Sequence, residues 1–316
     1  MQIVLPGALP DAAIASELAS HMEKSAPRFT GWLGRAQAAV TSADPAETFC
    51  TPYEYWLLRH HGFEARAGQR ASAGLAALLA RETGAASELG EPLWLAQLVH
   101  VAPARDGAAL IPASELAITP EESALLLEAA GDFLADSGFA ITPFDTTHWR
   151  VGPPPEYRPA CASPALVSIT SVNDWWTQDA EGRPWRRLVN ELQMLWFDHP
   201  VNQAREARGL RPVNSLWLYG GARPSQLGTP DAAGNGEPPR VLRGLQGPAL
   251  VQDWGSWLQE LERLEHEEFA ALPDMPRLVL TGRDRIVELS PGRKGFLARL
   301  LAPRKQDWRR WCSGHD

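Results

Sequence analysis

Two short apolar runs stand at opposite ends of the chain, each closed by a glycine turn. Ile3-Val4-Leu5 ends at Pro6-Gly7, and Arg277-Leu278-Val279-Leu280 ends at Thr281-Gly282. A run of this length bounded by turn residues reads as a buried strand. Helical stretches lie between the two. The pattern therefore predicts one α/β layer built from both termini, with the middle of the chain inserted into it.

The helices announce themselves through their starts. Asp11 is placed to cap a helix reaching about Met22, and Pro27 opens an amphipathic stretch to Val40. Thr51-Pro52 precedes a helix to His61, and Ala71–Glu82 is Ala/Leu-rich. Thr119-Pro120-Glu121-Glu122 is a capping-box start for a helix that stops at Gly138. Leu93–Val101 and Ala108–Ile111 read as a hairpin. Phe139–Thr142, His148–Val151 and Ala165–Thr170 are candidate strands. Pro184–Asp198 has Trp185, Leu188, Leu192 and Leu195 at helical spacing. Ser215–Tyr219 and Ala249–Val251 are further expected strands, Asp253–Leu272 an amphipathic helix, and Ile286–Leu289 a strand extending the sheet. Helical pieces are expected at Phe296–Leu301 and Gln306–Trp311. The domains expected from this are a core over 1–92 and 245–316 and an inserted α+β domain over 93–223. A loop over 224–244 separates them, within a stretch rich in glycine and proline.

Of the 316 residues, 44% are hydrophobic and 22% charged, as in an ordinary folded protein. The net charge of -8 argues against sequence-independent nucleic-acid binding, which depends on neutralising phosphates. Nine Lys or Arg against three Asp or Glu between Arg283 and Arg310 form a local basic stretch, read first as a solvated face. Three distant cysteines without a C-x-x-C suggest a reducing compartment. With no leader-like start and no long apolar run, a cytoplasmic protein without a membrane span is expected. The 13 tryptophans are spread along the chain and read as core residues.

The densest patch of specialised residues runs from His199 to Gly221. It holds His199, Asn202 and Asn214, the arginines Arg205, Arg208 and Arg211, and Gly220-Gly221, taken as a turn. Asn202 and Arg205 are three apart and share a face if a helical turn resumes after Pro200. Arginine offers a planar fork of donors suited to phosphate or carboxylate, and Asn and His can orient a bound anion. The alternative is structural: asparagine side chains satisfying turn backbone, and arginines in surface pairs. No nucleophile elbow, phosphate loop, zinc-protease helix or dinucleotide fingerprint occurs.

The run His199-Pro-Val-Asn-x-x-Arg, with Gly209-x-x-Pro-x-Asn214-x-x-Trp-x-x-Gly220, resembles a segment of archaeal-type cofactor-independent phosphoglycerate mutases of the alkaline phosphatase superfamily. Leu116-x-Ile-Thr-Pro-Glu-Glu, Gly138-Phe-Ala-Ile-Thr-Pro and Trp149-Arg150 are similar to that family's inserted domain. The resemblance implies a reduced alkaline-phosphatase-like core carrying an insertion that grips a phosphorylated substrate. Arg150, His199, Asn202, Arg205 and Asn214 are then the expected ligand-binding residues.

The two-metal centre that such a core carries lacks its donors in this sequence. Pro6 stands where the family's first strand ends in a metal-binding aspartate. Arg283 and Asp284 stand where it has Asp and His. A metal pair needs carboxylate and imidazole ligands, so neither catalytic nor metal residues nor any cofactor are assigned. Leu5-Pro-Gly-Ala-Leu-Pro10, Thr51-Pro52-Tyr53-Glu54 and Trp94…Val99-His100-Val101 resemble bacterial regulatory proteins of RpfE type. Three functions remain open. The first is a non-catalytic regulator binding a phosphorylated metabolite or a protein partner. The second is a metal-dependent mutase or phosphomonoesterase with displaced ligands drawn from Asp11, Asp253, Asp284 and His266. The third is an interaction scaffold using the exposed tryptophans and the basic C-terminal tail.

Overall fold

The structure is a computed structural model that describes residues 1–85, 90–105, 107–176, 180–229, 237–291 and 308–312. Its strands are β1 (Gln2–Leu5), β2 (Gln37–Ser42), β3 (Leu93–Ala104), β4 (Gly107–Ile111), β5 (Ala140–Pro143), β6 (His148–Gly152), β7 (Ser215–Ala222), β8 (Arg240–Val241), β9 (Arg277–Thr281) and β10 (Arg285–Ser290). The chain divides into two units. One holds residues 1–47, 51–56 and the described part of 231–316; the other holds 48–50 and the described part of 57–230.

The first unit is a mixed α/β layer with strand order β2-β10-β9-β1-β8. β1 runs parallel to β9, Ile3 opposite Leu278, and parallel to β8 on its other side. The apolar positions of β1 and β9 are buried, as is usual for parallel strands inside a sheet. Leu18 and Met22 of the helix Ala12–Ser25 join Trp257, Leu261 and Leu264 of the helix Trp254–Leu264 in one core with Ile3, Leu5 and Leu280. The expected layer built from both termini is thus present.

Three local expectations change. The helix starting at Pro27 ends at Leu33, and Gln37–Ser42 becomes the edge strand β2, paired antiparallel with β10. A ladder partner some 250 residues away decides this, and the local pattern cannot show it. Ala249–Val251 is no strand: Gln246–Leu250 is a short helix, with Pro248 in its first turn, where a missing N–H costs little. Ala165–Thr170 likewise becomes the helix Pro164–Ser168, whose N-cap Ser163 accepts from Leu166 N at 3.1 Å.

The second unit is built on an antiparallel sheet in the order β4-β3-β6-β5, with β7 also paired to β3. The helices Pro120–Ser137 and Arg183–Phe197 share one core with Trp94, Trp149 and Leu218. Thr119 and Glu122 form the expected capping box, and Gly138 ends that helix in the left-handed conformation at φ 79°. The helix Gly74–Glu82 packs Ala76 and Ala80 on Leu93, Leu95 and Tyr219. The boundary therefore falls near residue 57, where 93 was expected. Trp149, Trp196 and Trp257 are among the most deeply buried large side chains, as the core reading of the tryptophans requires. Among the described residues no helix is long and apolar enough to cross a membrane. Gly292–Gly295, Phe296–Leu301 and most of the basic stretch lie outside the described residues.

Candidate functional site

The His199–Gly221 run folds as a helix Pro200–Ala207, a short connection and β7. His199 is the N-cap, its Nδ1 accepting from Val201 N at 3.2 Å. Asn202 is buried. Its Nδ2 donates to the carbonyls of Trp196 and Val213, each at 2.8 Å, and its Oδ1 accepts from Val213 N. Arg205 has no solvent exposure. It donates to Glu122 Oε2 at 2.5 Å and to the carbonyls of Arg211 and Leu116. Asn214 bonds both backbone groups of Val101, standing in for one more rung of sheet.

The expected anion site is therefore corrected. Asn202, Arg205 and Asn214 turn inward because the connection after the helix needs partners for its backbone, and buried polar groups must be paired. Arg150 sits exposed on β6, and no hydrogen bond or ion pair joins it to the other four. Glu122 receives Arg205, Arg208 and the Thr119 backbone N–H. Burial works to raise its carboxyl, but the Thr119 N–H and the two guanidiniums outweigh it and hold the group below the ordinary glutamate range.

The same run ends at a different feature. Gly220 and Gly221 form no turn: both lie inside β7 with φ of 106° and 102°. Leu93 pairs with Ala222 and Trp94 with Gly220, which leaves Gly221 as the extra residue of a bulge. Only glycine takes these angles without strain, and a β-carbon on Gly220 would stand 2.5 Å from the Leu93 carbonyl oxygen.

Beside this bulge opens a cavity of about 420 Å³, walled in part by Arg66, Arg70, Arg158 and Arg223. None of the described residues lining it is acidic. Its wall is tied together by side-chain amides. Gln69 Nε2 donates to the Gly221 carbonyl at 2.9 Å. Gln226 Nε2 donates to Gln69 Oε1 at 2.8 Å and to the Glu64 carbonyl at 2.9 Å. Ser72 Oγ donates to the Cys161 carbonyl at 2.7 Å, fixing the segment that carries Arg158. Two lining donors, Arg223 Nε and Trp94 Nε1, are buried with no hydrogen-bond partner among the described residues. An unpaired buried donor costs roughly 1–3 kcal/mol and is the kind of group a bound acceptor relieves. Four guanidiniums with no lining carboxylate make the cavity suited to an anion, most of all a phosphate, which matches the guanidinium fork. Cys161 also lines it; burial, reinforced by Glu181, pushes that thiol up to about 12, so it stays protonated.

Sequence reasoning missed these arginines. They come from three separate stretches, 66–70, 158 and 223, none dense enough to stand out. One signal was present: Gly220-Gly-Ala-Arg223 places a guanidinium just beyond a strand whose glycines hold the backbone bare.

The residues expected near a metal centre can also be placed. β1 and β9 end side by side, and Gly7 N donates to Thr281 Oγ1 at 3.3 Å. Arg283 pairs with Asp11 at 3.2 Å, and both carboxylate oxygens of Asp284 face Arg285. Asp253 caps its helix through Ser256, and His266 is exposed on the turn that follows that helix. Among the described residues no three His, Cys, Asp or Glu side chains converge as a metal site. Proline, glycine, threonine and salt-bridged aspartates are a poor donor set for the two divalent ions of a phosphoryl-transfer centre. The residues present do not fit that group.

No family model matches this chain, and no curated protein does. Among solved structures it is similar to the cofactor-independent phosphoglycerate mutase from Thermoplasma acidophilum. That match has 12% identity and a TM-score of 0.35 over 99% of this chain and 94% of that one. It is also similar to the PH0037 protein from Pyrococcus horikoshii, at 12% identity and a TM-score of 0.45 over 92% and 87%. Likeness at these scores carries no argument about family or activity, and the cavity stands on its own geometry.

Proposed function

We propose that this protein binds a small phosphorylated or polycarboxylate anion in the arginine-lined cavity beside Gly221, and that it acts by binding and not by metal-dependent phosphoryl transfer. The observation that carries the reading is the convergence of Arg66, Arg70, Arg158 and Arg223 on one cavity without a lining carboxylate, together with the unpaired buried Nε of Arg223. The degenerate donor set at the ends of β1 and β9 supports the non-catalytic half. A regulatory role of the RpfE type, sensing a phosphorylated metabolite, fits both halves.

The test is calorimetric titration with inorganic phosphate, pyrophosphate and 3-phosphoglycerate. At least one of them is expected to bind, with Arg223→Gln weakening it at least tenfold, the factor for losing one charge-assisted hydrogen bond. Absence of heat with all three probes overturns the reading. So does an affinity that Arg223→Gln and Arg158→Gln both leave unchanged.

A further inference from the structure

A second, smaller pocket opens off the same segment of chain. It has about 40 Å³ of free volume and is walled by Tyr157, Trp175, Trp176, Trp185 and Trp217. Pro159, Ala160 and Cys161 line both this pocket and the arginine cavity, so one short piece of backbone is their common wall. The middle residue of that wall, Ala160, is exposed and carries only a methyl group.

The small pocket is apolar but not without polarity. Trp176 and Trp217 hold their rings 5.5 Å apart at 43°, and the Trp217 indole N–H is already given to the Ala162 carbonyl. Trp185 is 5% exposed, and its buried Nε1 has no partner among the described residues. Arg186 also lines the pocket, and none of the described lining residues is acidic. Aromatic walls could suit a cationic head group, but a guanidinium in the same wall opposes one. A neutral apolar group is what this surface accepts.

We infer that the ligand of the arginine cavity is an amphipathic anion, a phosphate or phosphonate whose substituent crosses Ala160 to place a small apolar head among the tryptophans. The inference rests on the anion-binding reading above and specifies the ligand class for that same site. The anionic end is held by the four arginines. The head is limited by the 40 Å³ to a short acyl group or the edge of a single ring, since a water alone needs about 10–15 Å³ of such volume.

Methylphosphonate and phenylphosphonate separate the two ideas, because both are stable to hydrolysis and differ only in the head. In calorimetric titrations phenylphosphonate is expected to bind about tenfold tighter, the factor for burying roughly 55 Å² of apolar surface. Trp176→Leu, in a residue that lines the small pocket and not the arginine cavity, is expected to reduce that gain and leave methylphosphonate binding as it was. Trp175→Leu, which alters the same wall, is expected to reduce the gain likewise and serves where Trp176→Leu does not fold. Equal affinity for the two phosphonates in the unaltered protein overturns the amphipathic class while leaving the anion site standing. A gain that survives both substitutions also overturns it, since the head then lies elsewhere. Failure of both phosphonates and of the three anions above to bind defeats the site itself.

Discussion

Gly221 lies against the indole of Trp94 so closely that a β-carbon on it would stand 2.5 Å from Trp94 Cζ2. The contact shapes the arginine cavity from below, because both residues line it and the Gly221 carbonyl holds Gln69. Gly221→Ala adds a clash to a backbone at φ 102° that alanine resists. It is expected to cost about 2–3 kcal/mol in urea unfolding and to weaken anion binding with it. A loss below about 0.5 kcal/mol, within the range of an ordinary surface change, would show that the indole gives way freely.

Arg205 and Glu122 form a buried pair, and its energetics separate a structural arginine from a ligand-binding one. Arg205→Met leaves Glu122 without its buried partner and is expected to destabilise the protein by about 3–5 kcal/mol. Combining it with Glu122→Leu is expected to recover part of that loss, which a double-mutant cycle measures directly. Because the Glu122 carboxyl is held below its ordinary value, its contribution is present above the unfolded pKa and disappears as the pH falls through the folded one. Anion affinity is expected to be unchanged in Arg205→Met at a temperature where that variant is folded. A large drop in affinity with little change in stability would restore Arg205 as a ligand residue.

Two further titrations fall in separate pH windows. His61 is pulled down from 6.5 to about 4, first by burial, then by Arg81 and His60. The unfolded chain therefore takes up a proton at His61 before the folded one does, and stability falls as the pH drops from about 6.5 to 4. Partial exposure of the ring limits the effect to about 1–2 kcal/mol, and His61→Gln is expected to flatten the profile there. Asp145 is opposed by burial, but His148 and the Thr147 and His148 backbone N–H groups bring it from 3.8 to about 2. Its contribution, about 1 kcal/mol after screening by solvent, is complete above pH 3.8 and is lost toward pH 2. Denaturant midpoints of His61→Gln and Asp145→Asn across pH 2–8 check both windows.

Glu265 caps a helix to which it is not adjacent in sequence. Its carboxylate accepts from Arg28 N at 2.7 Å and Phe29 N at 3.0 Å, at the start of the helix Pro27–Leu33, which has no side-chain cap of its own. Two orphan amides and the positive end of the helix are satisfied by one buried group. Glu265→Gln puts an N–H donor beside donors and is expected to cost about 1–3 kcal/mol. Circular dichroism melting measures this; a melting point unchanged from that of the unaltered protein would mean that water replaces the carboxylate there.

Interactions confined to a few residues were readable from the chain itself. The capping box at Thr119 and Glu122 has both partners three positions apart, and the apolar runs of β1 and β9 have no stable place except inside a sheet. The edge strand β2 was not readable, because Gln37–Ser42 takes its conformation from β10. The role of the His199–Gly221 run was half readable. Its residue types called for polar partners, but whether those partners were a ligand or the chain's own backbone depends on which way the side chains turn after folding. Asn202 and Arg205 turned inward, toward Val213 and Glu122.

By itself the sequence determined that both termini share one α/β layer, with strands and helices of the middle of the chain inserted between them. This follows from apolar runs and turn residues along short stretches. The tertiary structure alone decided where charge gathers: it buried Arg205 against Glu122 and collected Arg66, Arg70, Arg158 and Arg223 around one cavity. The physical reason is that burial and electrostatics act through space, so a site drawn from distant segments exists only once the strands that carry them have paired.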